Sequence, residues 1–79
     1  MATESDKVTT LRGYLAERVG QVAATNDPEA TLRLLVEVRD LADNLAGECV
    51  GAARAQGYTW EHVGSLVGVT KQAAQQRWG

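Results

Sequence analysis

Phenylalanine is absent from this chain, and cysteine, proline, methionine and histidine occur once each. One cysteine, Cys49, leaves no partner for an internal disulfide. With His62 as the only histidine, no Cys/His set of metal-ligating spacing exists, and no metal is expected. Cys49 reads as a small apolar filler on a helix. Ser5 and Ser65 have no base and orienting acid at a recognisable spacing, and no glycine-rich loop follows a phosphate-cradling pattern. The chain is therefore not expected to be an enzyme or to carry a cofactor. No apolar run is long enough to span a membrane. The start, Met1-Ala2-Thr3-Glu4-Ser5-Asp6, is polar and acidic, unlike a signal peptide. The expected location is the cytoplasm, on the nucleoid.

What is present is aliphatic. Hydrophobic residues make up 44% of the 79, so the core must come from Leu, Val and Ala. That length supports a single small domain, 1–79, with little margin for folding alone, and oligomerisation is a common way to bury more surface. The net charge is −2, which argues against strong nonspecific binding to nucleic acid. The charge is unevenly spread. Residues 1–49 hold nine acids and five bases, whereas residues 50–79 hold one acid, Glu61, and three bases, Arg54, Lys71 and Arg77.

The periodicity is helical throughout, and the expected fold is all-α with about four helices. Residues 1–7 are expected to form a disordered tail, with Asp6 as a cap. Val8, Leu11, Leu15, Val19 and Val22 then recur in steps of three and four, one stripe of an amphipathic helix ending near Ala24. Gly13 and Gly20 weaken that helix, and Tyr14 lies at the edge of the stripe. In Asn26-Asp27-Pro28-Glu29, Asn26 ends the first helix, Asp27 caps the next, Pro28 suits the first helical position and Glu29 favours the dipole. The second helix is expected to run to about Gln56; a break near Gly47–Gly51 is the alternative. Residues 8–56 thus form an antiparallel helical hairpin.

The second helix carries two apolar seams. One is Leu34, Val38, Leu41, Leu45 and Ala52, with Glu48 interrupting; the other is Leu35, Ala42, Ala46, Cys49 and Ala53, with Arg39 interrupting. One neighbouring helix needs one stripe, so two seams call for two neighbours. The first helix covers one. The other meets the C-terminal region or the same helix of a second chain. A homodimer through Leu34, Val38, Leu41 and Leu45 is favoured over a wholly intramolecular arrangement.

Residues 58–78 read as two short helices joined by a tight turn. Thr59 caps the first, with Glu61 in its opening turn. Val63, Leu66 and Val67 follow at helical spacing, and Gly68 supplies the positive φ that ends the helix. Thr70 caps the second helix, which runs to Trp78. A three- or four-residue connection with a glycine is the mark of a helix-turn-helix. Gly64 lies on the inner face, where a side chain would hold the helices apart. Val63, Val67, Val69 and Ala74 are expected to form the core between them, with Trp60 and Trp78 packed on it. His62 is expected on the exposed side. Lys71, Gln72, Gln75, Gln76 and Arg77 then face outward. Gln reads adenine at N6 and N7, whereas Lys and Arg read guanine or bind phosphate.

The run Trp60-Glu61-His62-Val63-Gly64-Ser65-Leu66-Val67-Gly68-Val69-Thr70-Lys71-Gln72-Ala73-Ala74-Gln75-Gln76-Arg77-Trp78 resembles the DNA-binding helix-turn-helix of small actinobacterial regulators. Those often read Trp-x-x-Ile-Gly-x-x-Leu-Gly-Val-Ser-x-Gln-Ala-Ala-x-Gln-Arg-Phe. The departures are Val63 for Ile, Thr70 for Ser and Trp78 for Phe. The resemblance covers residues 54–78 and implies nothing about residues 1–50.

The expected function is sequence-specific binding in the major groove of double-stranded DNA by a small, dimeric transcriptional regulator. Thr70 and the N-terminal end of its helix would meet phosphate. Lys71, Gln72 and Gln76 would approach base edges, and Gln75 and Arg77 base or backbone. The alternative is a protein-interaction module, a sigma-like or adaptor domain whose acidic hairpin docks on another transcription protein. Net acidity favours the alternative; the Gln- and base-bearing last helix disfavours it.

Overall fold

The computed structural model describes residues 4–79, with side chains from Asp6 onward. It contains four helices and, among the described residues, no strand. These are α1 (Glu4–Ala24), α2 (Pro28–Ala55), α3 (Trp60–Val67) and α4 (Lys71–Trp78). The fold is all-α, as the periodicity requires. Chain packing groups the residues into two units, Met1–Ala46 and Gly47–Gly79.

In the first unit, α1 starts at Glu4, so Asp6 lies within the helix and does not cap it. Residues 1–3 of the expected tail lie outside the described residues; residues 4–7 are helical. The turn into α2 forms as its residues dictate. The Asp27 carboxylate accepts the Ala30 amide at 3.0 Å, and the Asp27 carbonyl accepts the Thr31 amide at 2.9 Å. Pro28 begins the helix, where its missing N–H has no intrahelical partner to lose.

The half-buried stripe of α1 is Val8, Leu11, Leu15, Arg18 and Val22. Arg18 takes the place expected for Val19, which is 47% exposed. A long aliphatic arm can lie in an apolar stripe while its charged head reaches a partner. The Arg18 Nε donates to Glu37 Oε1 at 2.6 Å, and Nη1 donates to Glu17 Oε1 at 2.9 Å. The first of these bonds ties α1 to α2 across the hairpin. It also raises the Arg18 pKa above its ordinary value, with Glu17 adding to the effect. On α2 the matching half-buried stripe is Thr31, Leu34, Val38, Leu41 and Leu45. No described residue of this unit is fully buried, and Leu32, Leu35 and Val36 stand exposed on α2.

α2 continues without a break through Gly47 and Gly51. It ends at Ala55, and the chain leaves it through Gly57, where φ is +98°. The Tyr58 amide donates to the Ala53 carbonyl at 3.1 Å and the Gly57 amide to the Arg54 carbonyl at 3.0 Å. That pair of bonds is a Schellman ending, and it turns the chain sharply into α3.

Candidate nucleic-acid interface

The second unit is built around three small side chains. Val50 from α2, Val63 from α3 and Ala74 from α4 are its buried apolar residues, with Tyr58, Trp60 and Trp78 packed against them. Trp78 lies over Gly47, where an added Cβ would meet the indole at 3.8 Å. Val50 had no place in either expected seam. It lies beyond the second seam, on the side away from the first, and the covering of α2 by the C-terminal helices buries it while Cys49 is exposed.

The two short helices have the caps the sequence announces. The Thr59 hydroxyl accepts the His62 amide at 3.0 Å, and the Thr70 hydroxyl accepts the Ala73 amide at 3.1 Å. Each satisfies a donor that the first helical turn leaves unpaired. Gly68 leaves α3 in the left-handed region at φ +79°, and both its N–H and that of Val69, the latter at 2.9 Å, donate to the Gly64 carbonyl. Gly64 is itself buried against the backbone of the turn. A Cβ there would lie 2.7 Å from the Val69 carbonyl oxygen. The helix crossing is thus set by backbone meeting backbone.

The expected core needs one correction. Val63 and Ala74 are buried, but Val67 and Val69 are 45% and 43% exposed, and Leu66 is 65% exposed. Eight-residue helices that meet at a glycine approach too closely to need more than one small side chain from each. The extra valines flank the contact and do not enter it.

Arg54 is occupied structurally. Its Nη1 donates to the Tyr58 carbonyl at 2.6 Å, and its guanidinium lies 4.5 Å from the Trp60 ring centroid. It braces the corner between α2 and α3. His62 is exposed, and its ring stacks on Tyr58 at 4.5 Å with 6° between the planes.

On α4, Ala74 is fully buried, whereas Lys71, Gln72, Ala73, Gln75, Gln76 and Arg77 are exposed. Successive residues turn by about 100°. Gln72 and Gln76, two places either side of Ala74, therefore point directly away from the core, with Ala73 beside them. Gln75 lies to one side. Lys71 and Arg77 lie nearer the edges, and the Arg77 guanidinium is 5.1 Å from the Trp78 ring centroid. The sequence-expected set from Thr70 to Arg77 is thus gathered on one short helix, as two outward glutamines between flanking cations. The other expected set, Leu34, Val38, Leu41 and Leu45, lies in the half-buried stripe of the hairpin. Among the described residues no cluster of His, Cys, Asp and Glu could hold a metal ion, and no helix is long and apolar enough to cross a membrane.

A stretch of 38 residues is 50% identical to uncharacterized proteins of Mycobacterium tuberculosis and Mycobacterium bovis. The relatives are mycobacterial. The stretch is 48% of this chain but 15% of each relative, so the chain spans a small part of the length of the curated proteins it matches. No family model matches the chain, and no solved structure matches it.

Proposed function

We propose that this chain binds double-stranded DNA in a sequence-specific manner through α4, as a small dimeric transcriptional regulator of the cytoplasmic nucleoid. The observation that carries the reading is the outward face of α4. Its glutamines have no structural task in the fold, and the helix that bears them is fixed by the Gly64 crossing and the Thr70 cap. A rigid short helix with hydrogen-bonding side chains outward and cations at its edges suits a major groove. Gln72 and Gln76 would meet base edges, Gln75 base or backbone, and Lys71, Arg77 and the α4 amides at Thr70 would meet phosphate.

Three bases in the second unit give modest phosphate affinity, which pairing of two copies would strengthen. Leu32, Leu35 and Val36, exposed at helical spacing on the Met1–Ala46 unit, in which no described residue is buried, support a second copy seated there, on the side of α2 turned away from the Leu34, Val38, Leu41 and Leu45 stripe. Sedimentation of the wild type and of Leu35→Glu tests the pairing. Dimers of the first and monomers of the second are expected; wild-type monomers at every concentration would refute it.

Titration of a mixed duplex pool at several salt concentrations tests the binding itself. Log affinity should fall linearly with log salt, and Lys71→Ala should shallow the slope by about one. Absence of any salt-dependent association would overturn the reading.

A protein-interaction role has one observation of its own, the exposed Leu66, Val67 and Val69 around the α3–α4 turn. It would be favoured if function survived alanine at Lys71, Gln72 and Gln76 but was lost on Leu66→Glu or on altering Glu37 or Asp40.

A further inference from the structure

The outward face of α4 also constrains which bases it can read. We infer that the recognised half-site has a core of A·T pairs, in which Gln72 and Gln76 each bond an adenine and Ala73 contacts a thymine methyl. This rests on the DNA-binding reading above.

Burial of Ala74 fixes the rotation of α4 about its axis. The side chains furthest from the core are then Gln72 and Gln76, one turn apart, with Ala73 exposed next to them. A glutamine amide offers one acceptor and two donors, the complement of adenine N6–H and N7. Guanine in the major groove presents only acceptors, N7 and O6, and the usual reader of that pair is Arg or Lys. Both cations of α4 lie elsewhere on the wheel. Lys71 and Arg77 are close to the Ala74 side, and Arg77 lies against Trp78. From those edges they reach the strands flanking the groove and not its floor. Ala73 adds a bare methyl on the flank of the pair, beside Gln76, which has no hydrogen bond to give and fits the C5-methyl of thymine.

The test starts with selection from a randomised duplex pool by the full chain, followed by base analogues in the selected site. The core should contain A·T pairs. Replacing a core adenine by 7-deazaadenine removes N7 and should weaken wild-type binding about tenfold, with no further loss in Gln72→Ala/Gln76→Ala. Replacing the core thymine by deoxyuridine removes one methyl and should weaken binding about fourfold. Circular dichroism of the double variant checks that α4 keeps its helix. A selected core of G·C pairs, or indifference to 7-deazaadenine, would overturn this inference while leaving sequence-specific binding intact. Failure to enrich any site would remove the DNA-binding reading and this inference with it.

Discussion

A Cβ on Gly64 would sit 2.7 Å from the carbonyl oxygen of Val69 and 3.0 Å from that of Thr70. Both obstacles are backbone and cannot swing aside. Gly64→Ala gains about 1 kcal/mol of helix propensity but incurs about 1–3 kcal/mol of overpacking. Urea denaturation should show a net loss of stability, and the displaced α4 should bind DNA less well. Gly20 is the control, since a Cβ there meets nothing within 4 Å. Gly20→Ala should stabilise by up to about 1 kcal/mol. Equal effects from the two substitutions would contradict the close helix crossing.

Gly68 holds the turn at φ +79°. Space is open around it, so the cost of Gly68→Ala is conformational, about 1–2 kcal/mol. Gly68→Asn should cost less, because asparagine tolerates the left-handed region. Thermal melts of the three proteins should rank Gly, Asn, Ala.

The Thr70 hydroxyl caps α4 through the Ala73 amide. Thr70→Ala should cost about 1 kcal/mol, and Thr70→Ser should retain most of the stability. Amide hydrogen exchange locates the effect, with faster exchange expected at Ala73 in the alanine variant alone.

The Arg18–Glu37 bond raises the Arg18 pKa, so the charged guanidinium is favoured by folding. A raised pKa gives stability that is fully present below arginine's ordinary, strongly alkaline range and is lost only as pH climbs through the still higher folded value. Arg18 therefore contributes no titration near neutrality. Arg18→Glu should destabilise the hairpin by setting like charges together, and Arg18→Glu/Glu37→Arg should restore part of the loss. Denaturation midpoints at low and high salt check both.

The turn chemistry was readable from the residues. Thr59, Thr70, Gly68 and the Asp27-Pro28 pair each act locally, within a few bonds of where they sit, and the structure uses them as their chemistry demands. Gly64 was readable because a glycine four places before the turn glycine has few reasons to be there. Asp6, read as a cap, lies inside α1, and three features of the packing escaped. Val67 and Val69 share helical spacing with Val63, and periodicity does not say how narrow a contact between two-turn helices becomes. Arg18 replaces Val19 in the hairpin stripe because its alkyl arm counts as apolar there, which residue classes hide. Val50 fell outside both plausible seams, and only the seating of α3 and α4 on α2 singles it out. On α4, the outward residues were legible as a set. Their order around the helix, glutamines in front and cations at the edges, needed the burial of Ala74.

The most direct measurement is selection of bound duplexes from a randomised pool by the wild type and by Gln72→Ala/Gln76→Ala in parallel. Recovery of one shared site by the wild type, lost or blurred in the variant, is the expected result. Both proteins recovering the same site would show that α4 does not read bases, and neither recovering any site would show that the chain is not a sequence-specific DNA-binding protein.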